Sequence, residues 1–222
     1  MILIKFEYIF WRQDVMLKGE SAHCEARKEE IINACIELYK NLSFKDITIK
    51  DIAEYTTFSR PSIYNYFETK EEIFLAVFQK EYEHWKKDLD KIAKKKEKIS
   101  VKQFANKLSK TLENRPMLLK LLSMNLYDME EHSRLERLTE FKKAYGSSIE
   151  ALENALKRAF NLSKAQCDNF IYAFMPFMFG IYHYAFVTKK RNIAMMKAGV
   201  DFKEQSIDQL VTKLVVKLLE NK

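Results

Sequence analysis

Positions 59–67 read Ser59-Arg60-Pro61-Ser62-Ile63-Tyr64-Asn65-Tyr66-Phe67. Wound as a helix, Ile63 and Phe67 fall four apart on one face, and Arg60, Ser62, Tyr64, Asn65 and Tyr66 fall outward. These outward groups are a guanidinium, a hydroxyl, an amide and two phenols. They suit the chemistry of a DNA major groove: hydrogen bonds to base edges, contact with thymine methyls, and contact with phosphates.

No other set of residues offers comparable chemistry. The histidines, His23, His84, His132 and His183, never fall three or four apart, so no helical metal motif exists. The three cysteines, Cys24, Cys35 and Cys167, are an odd number without C-x-x-C spacing, and they read as reduced thiols. Gly19, Gly146, Gly180 and Gly199 are too far apart for a phosphate-binding loop. Asp128, Glu130, Glu131 and His132 lie together, and a charged loop is the expectation there. No cofactor, metal or enzymatic activity is therefore expected.

The elements that must hold the 59–67 segment are also legible. Ile49, Ile52 and Ala53 give the inner face of a short helix over 49–55, and Tyr55-Thr56-Thr57-Phe58 forms a turn. Ser59 caps the next helix, 60–66, where Pro61 is tolerated in the first turn. A longer helix over 25–42, with Ile31, Ile32, Cys35, Ile36 and Tyr39 inward, lies behind them. Two short helices with a tight turn on such a support make a helix-turn-helix.

Composition supports an all-α chain. Of 222 residues, 4 are glycine and 3 proline, too few turn formers for a sandwich or barrel. Further helices are predicted at 70–97, 101–113, 116–128, 134–160, 164–188 and 203–220, with a short one near 190–198. Many follow S/T-x-x-E/Q-type capping signals, as at Ser100, Ser133, Ser163 and Asp201. The domain boundary is expected inside the 70–97 helix, near residue 80, after an extension over 1–22. Met16 is a candidate natural start. The 170–187 run is apolar or aromatic at 15 of 18 positions. Pro176, Gly180 and His183 interrupt it, so a helix buried on all sides in a core is expected, not a membrane span.

The net charge is +7, with a pI near 9.1, which suits an anionic partner. Residues 16–70 nevertheless carry 8 basic and 9 acidic groups. Any DNA contact there depends on where charges sit, not on bulk charge.

Residues 31–74 resemble the N-terminal domain of the TetR/AcrR family of bacterial transcriptional repressors. The matching positions are Ile31-Ile32, Ala34, Phe44, Thr48, Ile52-Ala53, Phe58-Ser59, Ile63-Tyr64, Phe67 and Lys70-Glu71. The resemblance implies phosphate contacts from Tyr64, Tyr66, Lys50 and Lys70. It gives base reading to Arg60 and Ser62, with Ser59 and Asn65 in the same DNA-facing set. The family's usual turn glycine is replaced by Thr57, and the glycine before the aromatic by Ser43, which puts strain in those turns in question.

The C-terminal two-thirds is rich in Phe, Tyr and Met. Phe104, Met117, Leu121, Met124, Tyr127, Phe141, Tyr145, Phe174, Met178 and Tyr182 are candidates to line a cavity for an apolar or aromatic effector. The last helix has a broad stripe of Ile207, Leu210, Val211, Leu214, Val215, Leu218 and Leu219, which resembles the family's homodimer arrangement. The expectation is a cytoplasmic, ligand-responsive repressor that binds a palindromic operator as a homodimer. The rival is a helical interaction protein that uses the same fold without DNA.

Overall fold

The computed structural model describes residues 23–94 and 99–220, so the expected extension over 1–22 lies outside the described residues. Among the described residues every regular element is helical. Two compact units divide between Val77 and Phe78, inside helix α4.

The first unit contains α1 (23–41), a 3-10 turn (Phe44–Asp46), α2 (Ile49–Glu54), α3 (Arg60–Ile63) and the start of α4 (Lys70–Lys94). α1 buries Ile31, Ala34, Cys35, Leu38 and Tyr39, while Ile32 and Ile36 sit at the half-buried edge. The inward face is thus rotated slightly from the expected one. Tyr39 and Phe44 pack edge-on against Phe74, with ring centroids 5.1 and 4.8 Å away. Ile47, Ile52, Ile63 and Phe67 complete this core.

The second unit contains the rest of α4, then α5 (Val101–Glu113), α6 (Pro116–Leu122), α7 (Leu126–Glu131), α8 (Leu135–Phe160), α9 (Lys164–Ala185), α10 (Lys189–Lys197) and α11 (Ile207–Glu220). Phe78, Tyr82 and Trp85 are sealed in its core. Phe78 and Tyr82 stack at 5.1 Å, and Phe141 lies 5.2 Å from Phe78. The Trp85 indole N–H donates to Thr111 Oγ1 at 2.9 Å, so the core carries no orphaned indole donor. α11 packs chiefly on α5 and also meets α9.

The capping signals fare unevenly. Thr48/Asp51, Ser100/Gln103 and Ser163/Gln166 form full reciprocal boxes. Ser133 forms none: its hydroxyl donates back to the Met129 carbonyl at 2.7 Å, and α8 starts after Arg134. The single helix expected over 116–128 is two. Ser123 Oγ donates to the Lys120 carbonyl at 2.7 Å, and Asn125 leaves helical geometry. Short polar side chains compete here with the helix ladder. α11 begins four residues later than expected, because Ser206 and Gln209 form the box that Asp201 and Glu204 do not.

α9 departs most from expectation. It is not buried on all sides. Cys167, Phe170, Ile171, Phe174, Met175, Met178 and Ile181 face the core. The opposite face, with Tyr172, Ala173, Pro176, Phe179 and His183, is exposed. Tyr172 is 79% exposed. Hydrophobicity all round a helix thus conceals two different surfaces. No single helix among the described residues is long and apolar enough to cross a membrane.

Candidate nucleic-acid interface

α2 and α3 form the expected helix-turn-helix. The Thr48 hydroxyl accepts from the Asp51 amide at 3.2 Å, and the Asp51 carboxylate accepts from the Thr48 amide at 2.8 Å. The Asp51 carboxyl is held below its usual range, first by the hydrogen bond from the Thr48 side chain and then by the one from its backbone. In the turn, Thr56 Oγ1 lies 2.9 Å from the Ala53 carbonyl and 3.0 Å from that of Phe58. Thr57 keeps negative φ, since Asn161 is the one non-glycine residue at positive φ among the described residues. The turn therefore needs no glycine.

α3 is shorter than expected. Its helical residues are Arg60–Ile63, and Tyr64 to Tyr66 continue as a hydrogen-bonded turn, with the Tyr66 and Phe67 amides donating to the Ile63 carbonyl at 2.9 and 3.0 Å. Pro61 fits the first turn, and Ser59 is the N-cap by position, with no side-chain cap bond. Its hydroxyl lies 3.2 Å from that of Ser62. Ile63 and Phe67 are fully buried and lock the inner face.

The outer face carries exposed Ser59, Arg60, Tyr64 and Asn65, with Ser62 and Tyr66 half-buried. One Arg60 nitrogen donates to the Tyr64 hydroxyl at 3.1 Å, and the guanidinium lies 5.8 Å from that ring's centroid. Arg60 and Tyr64 are thus aligned one helical turn apart, leaving most of the five guanidinium donors for a ligand. Tyr66 leans on Phe58, with centroids 6.4 Å apart. Lys50 stands exposed at the start of α2, with only a loose 3.9 Å approach to Glu54.

Lys70 is placed differently from the other seven. Its ammonium donates to the carbonyls of Phe44 and Ile47 at 2.7 and 2.9 Å and lies 4.1 Å from the centre of the Phe44 ring. It ties the α1–α2 connection to the start of α4. In this arrangement it is an internal clip that uses two of its three donors on carbonyls, leaving one for a phosphate. Nearby, burial pushes the Cys35 thiol up to about 12, against the lowering effect of the Lys70 charge, so it is an inert packing group.

Two positioning contacts carry no motif signal. The Glu30 carboxylate of α1 accepts from the Thr57 amide at 2.5 Å, fixing the turn to its support. The Arg27 guanidinium lies 5.4 Å from the Phe58 ring centroid. Both join positions about thirty residues apart, which local spacing does not reveal.

The candidate effector residues do not share one setting. Phe104, Leu121, Phe141, Phe174 and Met178 are sealed core, while Met117, Met124, Tyr145 and Tyr182 are half-buried. Tyr127 is exposed, which removes it from any lining in this state. The grooves described in the second unit are lined by other residues: one of about 260 Å³ by Asp88, Lys91, Ile92, Lys107, Lys110, Thr111 and Asn114, and one of about 240 Å³ by residues of α9, α11 and Leu162.

With a capped helix-turn-helix in one unit and an all-helical second unit, the architecture is that of a helix-turn-helix transcriptional regulator. Residues 31–77 match the family described as bacterial regulatory proteins, tetR family, and residues 79–215 match the Tetracyclin repressor-like C-terminal domain. The chain belongs to the TetR family of DNA-binding transcriptional regulators. It is 33% identical over 76 residues to an uncharacterized HTH-type transcriptional regulator, YfiR, of Bacillus subtilis, a match spanning 34% of this chain and 37% of that relative. The fold is shared with a TetR-family regulator from Mesorhizobium loti (TM-score 0.55, 15% identity, 89% of this chain and 97% of that one). It is also shared with the fatty acid degradation regulator FadR of Bacillus halodurans (TM-score 0.53, 16% identity, 87% and 94%).

Proposed function

We propose that this protein binds double-stranded DNA as a homodimer, with α3 of each copy in the major groove of a palindromic operator, and represses transcription from it. The observation that carries this reading is the outer face of α3: Arg60 and Tyr64 exposed and aligned on a helix whose inner face is locked by Ile63 and Phe67. Arg60 and Ser62 read bases. Ser59, Tyr64, Asn65, Tyr66 and Lys50 hold phosphates and register. Lys70 joins them with the one donor that its two carbonyls leave.

The homodimer reading is supported by the bare α9 face and by Leu210, Leu214 and Leu218, a half-buried ridge of α11 beside it. A palindromic operator calls for two recognition helices about 34–36 Å apart, one DNA turn. An apolar or aromatic effector fits the aromatic-rich second unit. Because its candidate residues are largely sealed, the effector would bind a conformer in which that core opens, and α4, which belongs to both units, would carry the change. The chain would act in the cytoplasm.

The test is fluorescence anisotropy on fragments that the purified protein selects from sheared host DNA. Wild type should bind them with salt-sensitive affinity, and Arg60→Ala should lose most of it. Equal binding by Arg60→Ala would sink the assignment of α3.

A further inference from the structure

α10 is capped at both ends, yet none of its nine residues is buried. Its first turn is held by Thr188 Oγ1, which accepts from the Arg191 amide at 3.2 Å. At its end Gly199 takes φ +69°, and the Gly199 and Val200 amides donate to the carbonyls of Met196 and Met195, a Schellman closure. Isolated helices this short are marginal in water, so tertiary packing has to stabilise it. Arg191 supplies the pin: it donates to the His183 carbonyl at the end of α9 and lies 5.7 and 5.3 Å from the ring centres of Tyr184 and Phe202. α10 is thereby fixed at 88° to α9. Its outer face presents Ile193 and Met196, the latter 78% exposed, among exposed Lys189, Lys190 and Lys197.

A complementary surface exists elsewhere on the unit. At the α7–α8 corner Tyr127 and Leu135 are 70% and 72% exposed, with Asp128, Glu131 and Glu136 exposed around them. Residues 125–140 carry five carboxylates against two arginines, and residues 186–203 carry five cations against one carboxylate. α8 and α9 are joined by only three residues, 161–163, with Asn161 in the left-handed conformation. Glu153 pairs with Lys164, and Tyr145 interacts with Tyr172, eight residues farther from the connection along each helix, so the two run antiparallel and the start of α8 lies at the same end as the close of α9.

We propose that α10 is a clasp that docks on the α7–α8 corner of a second copy of this chain. This rests on the dimer reading above, in the pairing that brings like ends of the α8–α9 hairpins together. The α9 face and the α11 ridge supply roughly a third of the 20–30 residues a side that a standard interface uses, and the clasp and corner extend it at both edges. Opposite charges fix the register, and at each edge Ile193 and Met196 meet Tyr127 and Leu135 in an apolar contact ringed by those charges.

The test is sedimentation equilibrium of the full chain. Ile193→Ser with Met196→Ser, both polar changes at exposed sites that leave the fold intact by circular dichroism, should weaken dimerisation roughly ten-fold or more. Lys189→Glu with Lys190→Glu should do the same, and adding Glu131→Lys with Glu136→Lys should restore it. If these α10 variants dimerise like wild type while Tyr172→Glu separates the copies, the clasp is overturned and the dimer stands. A wild-type chain that stays monomeric overturns both. If the α10 variants keep the dimer and lose binding to vesicles of anionic phospholipid, the patch belongs to a membrane surface and the clasp is again overturned.

Discussion

The two units of this chain keep their functional chemistry in opposite places. In the first, the core is small and the working groups stand outside it: Arg60 and Tyr64 are exposed, while Ile63 and Phe67 behind them are sealed. In the second, rings such as Phe78, Phe104, Phe141 and Phe174 are sealed inside, and exposed apolar groups stand on α9, α10 and the α7–α8 corner. One unit reads a ligand with hydrogen-bonding side chains on a rigid frame. The other is organised around burial, and its interactions depend on which apolar faces stay uncovered. Substitutions should therefore separate: those on the outer face of α3 lose affinity without stability, and those in the core of the second unit lose stability first.

The largest expected effect is in the second unit. Phe141→Ala removes a sealed ring that packs on Phe78 and Tyr82, and should cost about 3–5 kcal/mol of folding stability. Thermal or urea unfolding measures it, and the DNA affinity of the protein that remains folded should be unchanged. A loss of DNA affinity without a loss of stability would break the comparison.

Next is Arg60→Ala, expected to cost about 1–3 kcal/mol of DNA binding with the melting temperature unmoved. The comparison fails at its other end if that variant melts early.

Lys70→Met tests the clip, and its effect lies in the first unit's stability. It leaves the carbonyls of Phe44 and Ile47 without their donor. The cost should be about 1 kcal/mol, since the site is partly open to water. If Lys70→Met keeps wild-type stability and loses DNA affinity instead, the ammonium serves a phosphate.

The smallest effect is a pH response around Arg115. Burial pushes the Asp88 carboxyl up, but hydrogen bonds from Lys91 and Arg115 and their charges outweigh it and hold it below its usual range. The stability this contributes is present above the ordinary carboxylate range, and it is lost as pH falls through the depressed value. Glu81 behaves oppositely, because burial raises it against the pull of Arg115, 3.9 Å away. Its protonation favours the folded state, so its penalty at neutral pH is relieved as pH falls. Melting curves between pH 7 and pH 3 should show Asp88→Asn with a shallower acid decline than wild type and Glu81→Gln with a steeper one.

The difference between the units also decides what the sequence reveals. The helix-turn-helix is legible because its signals are local: Thr48 and Asp51 three apart, Ile63 and Phe67 four apart, Pro61 in a first turn. The inward Lys70 ammonium is not, since its carbonyl partners lie more than twenty residues back in the chain. Helix α5 matches its expected bounds because Ser100 and Gln103 cap it unambiguously. α9 misleads because Phe lies on both faces and the bare one adds Tyr172 to the inward Met175 and Met178, so composition cannot separate core from contact surface. The candidate effector residues fall in different settings for a related reason: an aromatic residue of α5–α9 looks the same in sequence whether it is sealed, like Phe174, or exposed, like Tyr127.

The central claim is that two copies of α3 read one duplex. The most direct measurement is the stoichiometry of the complex with a self-selected operator fragment, by analytical ultracentrifugation with labelled DNA. The account predicts two chains per palindromic site, with the complex abolished in Arg60→Ala. A single bound chain per site, or a two-chain complex that survives Arg60→Ala unchanged, contradicts it.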